Sequence, residues 1–132
     1  MTSTNLIFVY GSLRRNADGE PHPLLREGRF LTAATVPGVL YRVNWYPGLG
    51  AEDGGGSRGC GELFELPAER AAALLAALDD YEGSGFRRRQ LHASAAGNSV
   101  GEAWVYEYAG PTQALALIPS GDYGVPVHRE RP

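Results

Sequence analysis

The rhythm of apolar and polar positions changes along this chain, and each change marks an element. NLIFVYG (5–11) is a compact apolar run with β-branched and aromatic members, closed by Gly11. It predicts a buried first strand. SLRRNADGEPHPLLREG (12–28) sets turn residues and two prolines around the short anchor of Leu24 and Leu25, and predicts a loop with at most one helical turn. Residues 29–50 predict two strands, with Pro37 and Gly38 at a break or bulge. AEDGGGSRG (51–59) predicts a flexible connection. In CGELFEL (60–66), Leu63, Phe64 and Leu66 do not share one face, which predicts a strand buried on both sides.

PAERAAALLAALDDYEG (67–83) is the clearest helix. Pro67 suits a first helical position and Glu69 falls in the first turn, where negative charge is welcome. Leu74, Leu75, Leu78 and Tyr81 recur at helical spacing and predict one apolar face, and Gly83 is a good terminator. FRRRQLHAS and VGEAWVYEYA then predict a hairpin around AAGNS. TQALALIPSGDY fits a short helix or a strand, and GVPVHRERP reads as a tail, with 125–132 beyond the core. One long helix among many strands gives an α+β fold, inclined to a small barrel or strongly curled sheet.

Composition narrows this picture. The 132 residues suit a single domain, and 43% hydrophobic with 20% charged residues describes an ordinary globular chain. A formal net charge of -3 argues against a nucleic-acid partner. Every long basic side chain is Arg and none is Lys, which excludes a Schiff-base lysine and the usual phosphate-loop lysine. Cys60 is the single cysteine, so no intrachain disulfide is expected. The N-terminal apolar run is too short for a signal peptide and no run approaches a membrane span, so a cytoplasmic protein is expected.

Several stretches invite chemistry. In GLGAEDGGG the spacing of Gly48, Gly50 and Gly54 misses the dinucleotide pattern by one residue, and no helix pattern follows. His22, His92 and His128 stand singly, with no metal-ligand partner three or four residues away. Cys60 reads as a small apolar residue rather than a nucleophile. Ser12 follows Gly11 at a strand end but lacks the nucleophile-elbow frame, so it reads as a loop residue able to hydrogen-bond a ligand. YGSL (10–13) ends a buried strand with a flexible backbone whose N–H groups suit a carboxylate or an oxyanion.

Charge clusters late in the helix. In an extended strand Arg87 and Arg89 share one face and Arg88 takes the other, and at least one of them is placed to pair with the acids of the helix end. Glu82 sits at the negative pole of the helix, within a turn of Asp79 and Asp80, with Tyr81 and Phe86 to exclude water. These influences all disfavour its charged form and predict a raised pKa, as a neutral-pH acid/base requires.

VYGSL near the N-terminus and LDDYEG after an apolar helix, in this order, resemble the gamma-glutamyl cyclotransferase superfamily, in its small gamma-glutamylamine cyclotransferase-like branch. PGVLYRV, YPGL, GELFEL, FRRRQL, AWVYEY and SGDY extend the resemblance over most of residues 6–123. It implies a small mixed β-barrel flanked by helices. It also implies a reaction without a cofactor or metal, in which a small gamma-glutamyl amide cyclises to 5-oxoproline and releases its amine. Carried onto this chain, Glu82 becomes the catalytic acid/base. The backbone of Gly11, Ser12 and Leu13, with Tyr10 alongside, becomes the floor for the glutamyl head, and Tyr123 becomes an aromatic lining the site. A protein that binds a small gamma-glutamyl or carboxylate ligand without turning it over is the alternative.

Overall fold

A computed structural model describes residues 4–52 and 54–124 of the chain. The expected tail at 125–132, with His128, lies outside the described residues. Eight strands are formed: β1 (Leu6–Val9), β2 (Arg29–Pro37), β3 (Val39–Arg42), β4 (Pro47–Gly50), β5 (Arg58–Glu65), β6 (Phe86–Ala95), β7 (Asn98–Tyr108) and β8 (Ala116–Leu117). The one α-helix among the described residues, α1, spans Ala71–Glu82.

Five strands close a ring in the order β1, β5, β2, β6, β7 and back to β1. Four of these contacts are antiparallel and the closing one, β1 on β7 at Ile7 and Trp104, is parallel. An odd number of strands cannot alternate direction all the way round a ring, so at least one parallel contact is required. The fold is thus a small mixed β-barrel with one helix. The expected flanking helices reduce to α1 and two 3-10 turns, Pro23–Leu25 and Ala68–Arg70.

Period-2 patterning sorts the strand side chains into two cores. Phe8 and Tyr10 of the first strand and its exit, Leu63 of β5, and Ala103 and Val105 of β7 fill the barrel interior. Ile7 and Val9, Phe64, and Tyr106 point the other way and pack against Leu74, Leu75 and Leu78 of α1. Leu63 and Phe64 therefore bury opposite faces of β5, as the imperfect alternation predicted.

Three boundaries differ from expectation. Residues 29–50 make three strands, because the chain turns tightly again at 43–46, where the Val43 N–H donates to the Tyr46 carbonyl at 3.0 Å. Pro67 precedes a 3-10 turn and the α-helix begins only at Ala71. The β6–β7 hairpin closes on Ala96 and Gly97 alone, both with positive φ, 51° and 81°. That conformation matches the strand twist, so both strands extend further than predicted. The ambiguous stretch 112–123 supplies only the short β8, paired with β3.

Candidate active site

The site lies where the second edge of β7 passes from one partner to another. That edge meets β1 at Trp104 and β4 at Glu107. Between these contacts the Tyr10 hydroxyl bridges the two strands: it donates to the Tyr106 carbonyl at 2.5 Å and accepts from the Leu49 N–H at 2.9 Å. Burial pushes this phenol well above its ordinary pKa, so it remains a donor. Tyr10 lines the cavity as expected, but its hydroxyl is committed to holding the barrel together.

After Tyr10 the chain turns, with the Arg14 N–H donating to the Gly11 carbonyl at 3.0 Å. No hydrogen bond among the described residues uses the N–H of Gly11 or of Leu13. Gly11 is required by a close approach: a Cβ there would lie 2.9 Å from Pro47 Cγ, so any side chain would push the YGSL turn off the Tyr46–Pro47 segment. Leu13 is 3% exposed and packs with the helix-side core. Its side chain anchors the turn, and the residue also lines the cavity.

The opposite wall comes from the end of α1. Gly83 terminates the helix at a φ of 76°, its N–H donating to the Asp79 carbonyl at 3.0 Å. Tyr81 and Glu82, the last helical residues, join Tyr10–Leu13, Pro47 and Phe86 around a cavity of about 350 Å³. Tyr81 is 44% exposed rather than part of the helix's packed face. Its hydroxyl lies 2.8 Å from Ser12 Oγ, and its ring stands edge-on to His22 at 5.1 Å. The α1 terminus is thereby tied across the cavity to the YGSL turn.

Glu82 is the one charged side chain among the described residues lining this cavity. Burial pushes its carboxyl up from 4.5 to about 7. The direction is the expected one, but the cause is narrower. Desolvation alone raises it, and Asp79, one turn back, is paired elsewhere: it accepts two hydrogen bonds from Arg88, at 2.8 and 3.1 Å, and one from the Tyr106 hydroxyl at 2.6 Å. The Arg88 bonds hold the Asp79 carboxyl below its ordinary value. Arg87 and Arg89, on the other face of β6, both pair with the buried Glu107, at 3.3 and 3.2 Å.

The remaining expected residues are placed as follows. Tyr123 is not among the residues lining this cavity; its hydroxyl donates to the Trp45 carbonyl at 2.5 Å, and Trp45 does line it. Cys60 lies on a separate cavity of about 380 Å³ beside Arg58 and Gly121, and burial raises its thiol pKa, which keeps it a poor nucleophile. Among the described residues no group of three or more His, Cys, Asp or Glu is placed to hold a metal ion.

Sequence reasoning missed the aromatic wall. Trp45 and Tyr46 meet edge-on at 5.1 Å, Tyr46 lies 6.1 Å from Phe86, and Phe86 lies 5.7 Å from Tyr108. The available signal was two aromatics in a turn just before Pro47 and Gly48, where turn residues are usually polar.

Residues 7–125 match the family described as gamma-glutamyl cyclotransferase, AIG2-like. The chain belongs to this family. It is similar to the gamma-glutamylcyclotransferase family protein YtfP of Escherichia coli K12, at 35% identity over 89% of this chain and 94% of that protein. The solution structure of E. coli YtfP superposes with a TM-score of 0.61 at 30% identity, covering 89% of this chain and 95% of that one. A crystal structure of an AIG2-like protein from Mus musculus shares the fold, with a TM-score of 0.67 and 24% identity over 98% of this chain and all of that one. Glu82, YGSL and the Trp45–Pro47 turn all fall within the matched stretch.

Proposed function

We propose that the chain is a gamma-glutamyl cyclotransferase that converts a small gamma-glutamyl amide to 5-oxoproline and a free amine, with Glu82 as the acid/base. The observation that carries this reading is the convergence on one cavity of a carboxyl with no partner among the described residues, at the end of α1, and the YGSL turn, some seventy positions earlier in the chain.

The chemistry needs no protein nucleophile. A gamma-glutamyl amide carries its own, the α-amino group, and folding that group back onto the γ-carbonyl makes the attack intramolecular. As a carboxylate, Glu82 takes a proton from the α-ammonium. The free amine adds to the γ-carbon, forming the ring C–N bond and placing negative charge on the carbonyl oxygen. Backbone N–H groups of the YGSL turn suit either that oxyanion or the substrate's α-carboxylate. The γ-carbon–nitrogen bond to the amine then breaks as Glu82 gives its proton to the departing nitrogen; the ring nitrogen, which still carries two hydrogens after the attack, gives up the second, and the released amine takes up that proton and leaves as an ammonium ion. A carboxyl near pH 7 is matched to both transfers.

The test is a panel of gamma-glutamyl amides with 5-oxoproline read by mass spectrometry, using wild type and Glu82→Gln. Turnover by wild type and its loss in the variant supports the reading. Undiminished turnover by Glu82→Gln removes Glu82 from the mechanism. Binding without 5-oxoproline across the panel favours a pure binder.

A further inference from the structure

Trp45 is a large apolar residue left 71% exposed, and it stands on the wall of the cavity. Its surroundings fix it in place. Trp45 sits in the tight turn between β3 and β4, where both the Val43 and Asn44 N–H groups donate to the Tyr46 carbonyl. Its own carbonyl is held by the Tyr123 hydroxyl, and its ring packs edge-on against Tyr46. The backbone is thus held by hydrogen bonds while most of the residue is left to solvent. A preorganised aromatic face loses little conformational freedom when a flat ligand group covers it.

The charge of the same wall is equally selective. Glu82 supplies the only charged side chain among the described lining residues, and it is negative in its reactive form. Arg42, on the strand that leads to this turn, is engaged over the Tyr123 ring at 5.4 Å. A second carboxylate, of the kind an amino-acid leaving group carries, would meet no partnering cation among the described lining residues and would be repelled by Glu82.

Resting on the cyclotransferase reading, we infer that Trp45 and Tyr46 form a leaving-group subsite that selects gamma-glutamyl amides of aromatic amines and discriminates against gamma-glutamyl amino acids. Trp45 is the specificity-determining residue: it contacts the departing amine and not the reacting atoms.

Three compounds isolate the two claims. Gamma-glutamyl-phenethylamide and gamma-glutamyl-ethylamide differ by the ring, and gamma-glutamyl-phenethylamide and gamma-glutamyl-phenylalanine differ by the carboxylate. The expected kcat/KM for the phenethylamide exceeds each of the others by about tenfold or more. Trp45→Ala lowers the phenethylamide-to-ethylamide ratio towards one, and Trp45→Phe restores much of it. A ratio unmoved by Trp45→Ala, or phenylalanine release as fast as phenethylamine release, overturns the subsite. If none of the three yields 5-oxoproline, the reading of the reaction fails by itself. Calorimetry with the same compounds then decides the subsite: binding of the phenethylamide about tenfold tighter, lost in Trp45→Ala, supports it, and equal binding overturns it.

Discussion

The barrel treats its buried carboxylates in two ways. Glu62 and Glu107, 5% and 3% exposed, are each met by two arginines. Glu62 also accepts the Arg15 N–H at 2.8 Å. At the cavity, Glu82 has no arginine and no hydrogen bond among the described residues, although Arg88 lies six positions ahead in the chain. Asp79, one helical turn back, takes Arg88 instead. Pairing uses a carboxylate to tie segments of the barrel together. Withholding a partner leaves one whose proton is free to move, at a cost in folding stability.

On the proposed reaction, the largest expected effect follows from removing the Glu82 carboxyl. Glu82→Gln should lower kcat for 5-oxoproline formation by about 100-fold or more, while circular dichroism remains that of the wild type. An equally large loss from Glu107→Gln in a folded protein would break the distinction between the two kinds of site.

Stability should separate them next. Glu62→Ala removes the carboxylate shared by Arg14 and Arg15 and the acceptor of the Arg15 N–H, leaving Arg14 to Asp122 and Arg15 to the Phe30 ring, and should cost on the order of 1–3 kcal/mol in denaturant unfolding. Glu82→Gln should do the reverse. Its raised pKa means that between pH 4.5 and about 7 the folded chain holds a proton that the unfolded chain has lost, so wild-type stability falls as pH rises through that window. Above pH 7 the penalty is complete. The Gln variant should then exceed wild type by on the order of 1–3 kcal/mol at pH 8, and match it near pH 4. A variant less stable than wild type at pH 8 would sink the unpaired state of Glu82.

Tyr10→Phe sharpens the comparison from the neutral side. It strips the bridge between the Leu49 N–H and the Tyr106 carbonyl, and should cost about 1–3 kcal/mol. Its effect on kcat should be small beside that of Glu82→Gln, because the hydroxyl is occupied by backbone. The smallest effect is expected at the pH profile itself: kcat/KM should rise on a limb near pH 7 as free Glu82 ionises, and the kcat limb should lie lower, because a bound α-ammonium favours the carboxylate. Coincident limbs would argue against contact between Glu82 and the ammonium.

The fold and half of the site were legible along the chain. The Leu74, Leu75, Leu78 stripe specified α1, and the opposed burial of Leu63 and Phe64 specified a strand with a core on each side. Gly83 placed Glu82 at a helix end, and the acid cluster announced a perturbed carboxyl. Burial as its source was not readable, because the segments that cover Glu82 are far apart in the chain, and the pairing of Asp79 was hidden because Arg88 and Tyr106 reach it only once β6 and β7 pack on the helix. Tyr10 illustrates the same limit: the motif marked it as part of the floor, and only the splaying of β1 and β4 along β7 turned its hydroxyl into a structural bridge.

Local periodicity and turn chemistry are short-range properties, so the sequence by itself determined the helix, most strands, and the positions of Glu82 and YGSL. Closure of the five-strand ring is a long-range event. It decided that these two segments share a cavity, that one carboxyl there would have no cation among the described residues, and that Trp45 would line the same cavity. Contacts between residues forty to a hundred positions apart are set by strand register, and register is fixed only when both cores are packed at once.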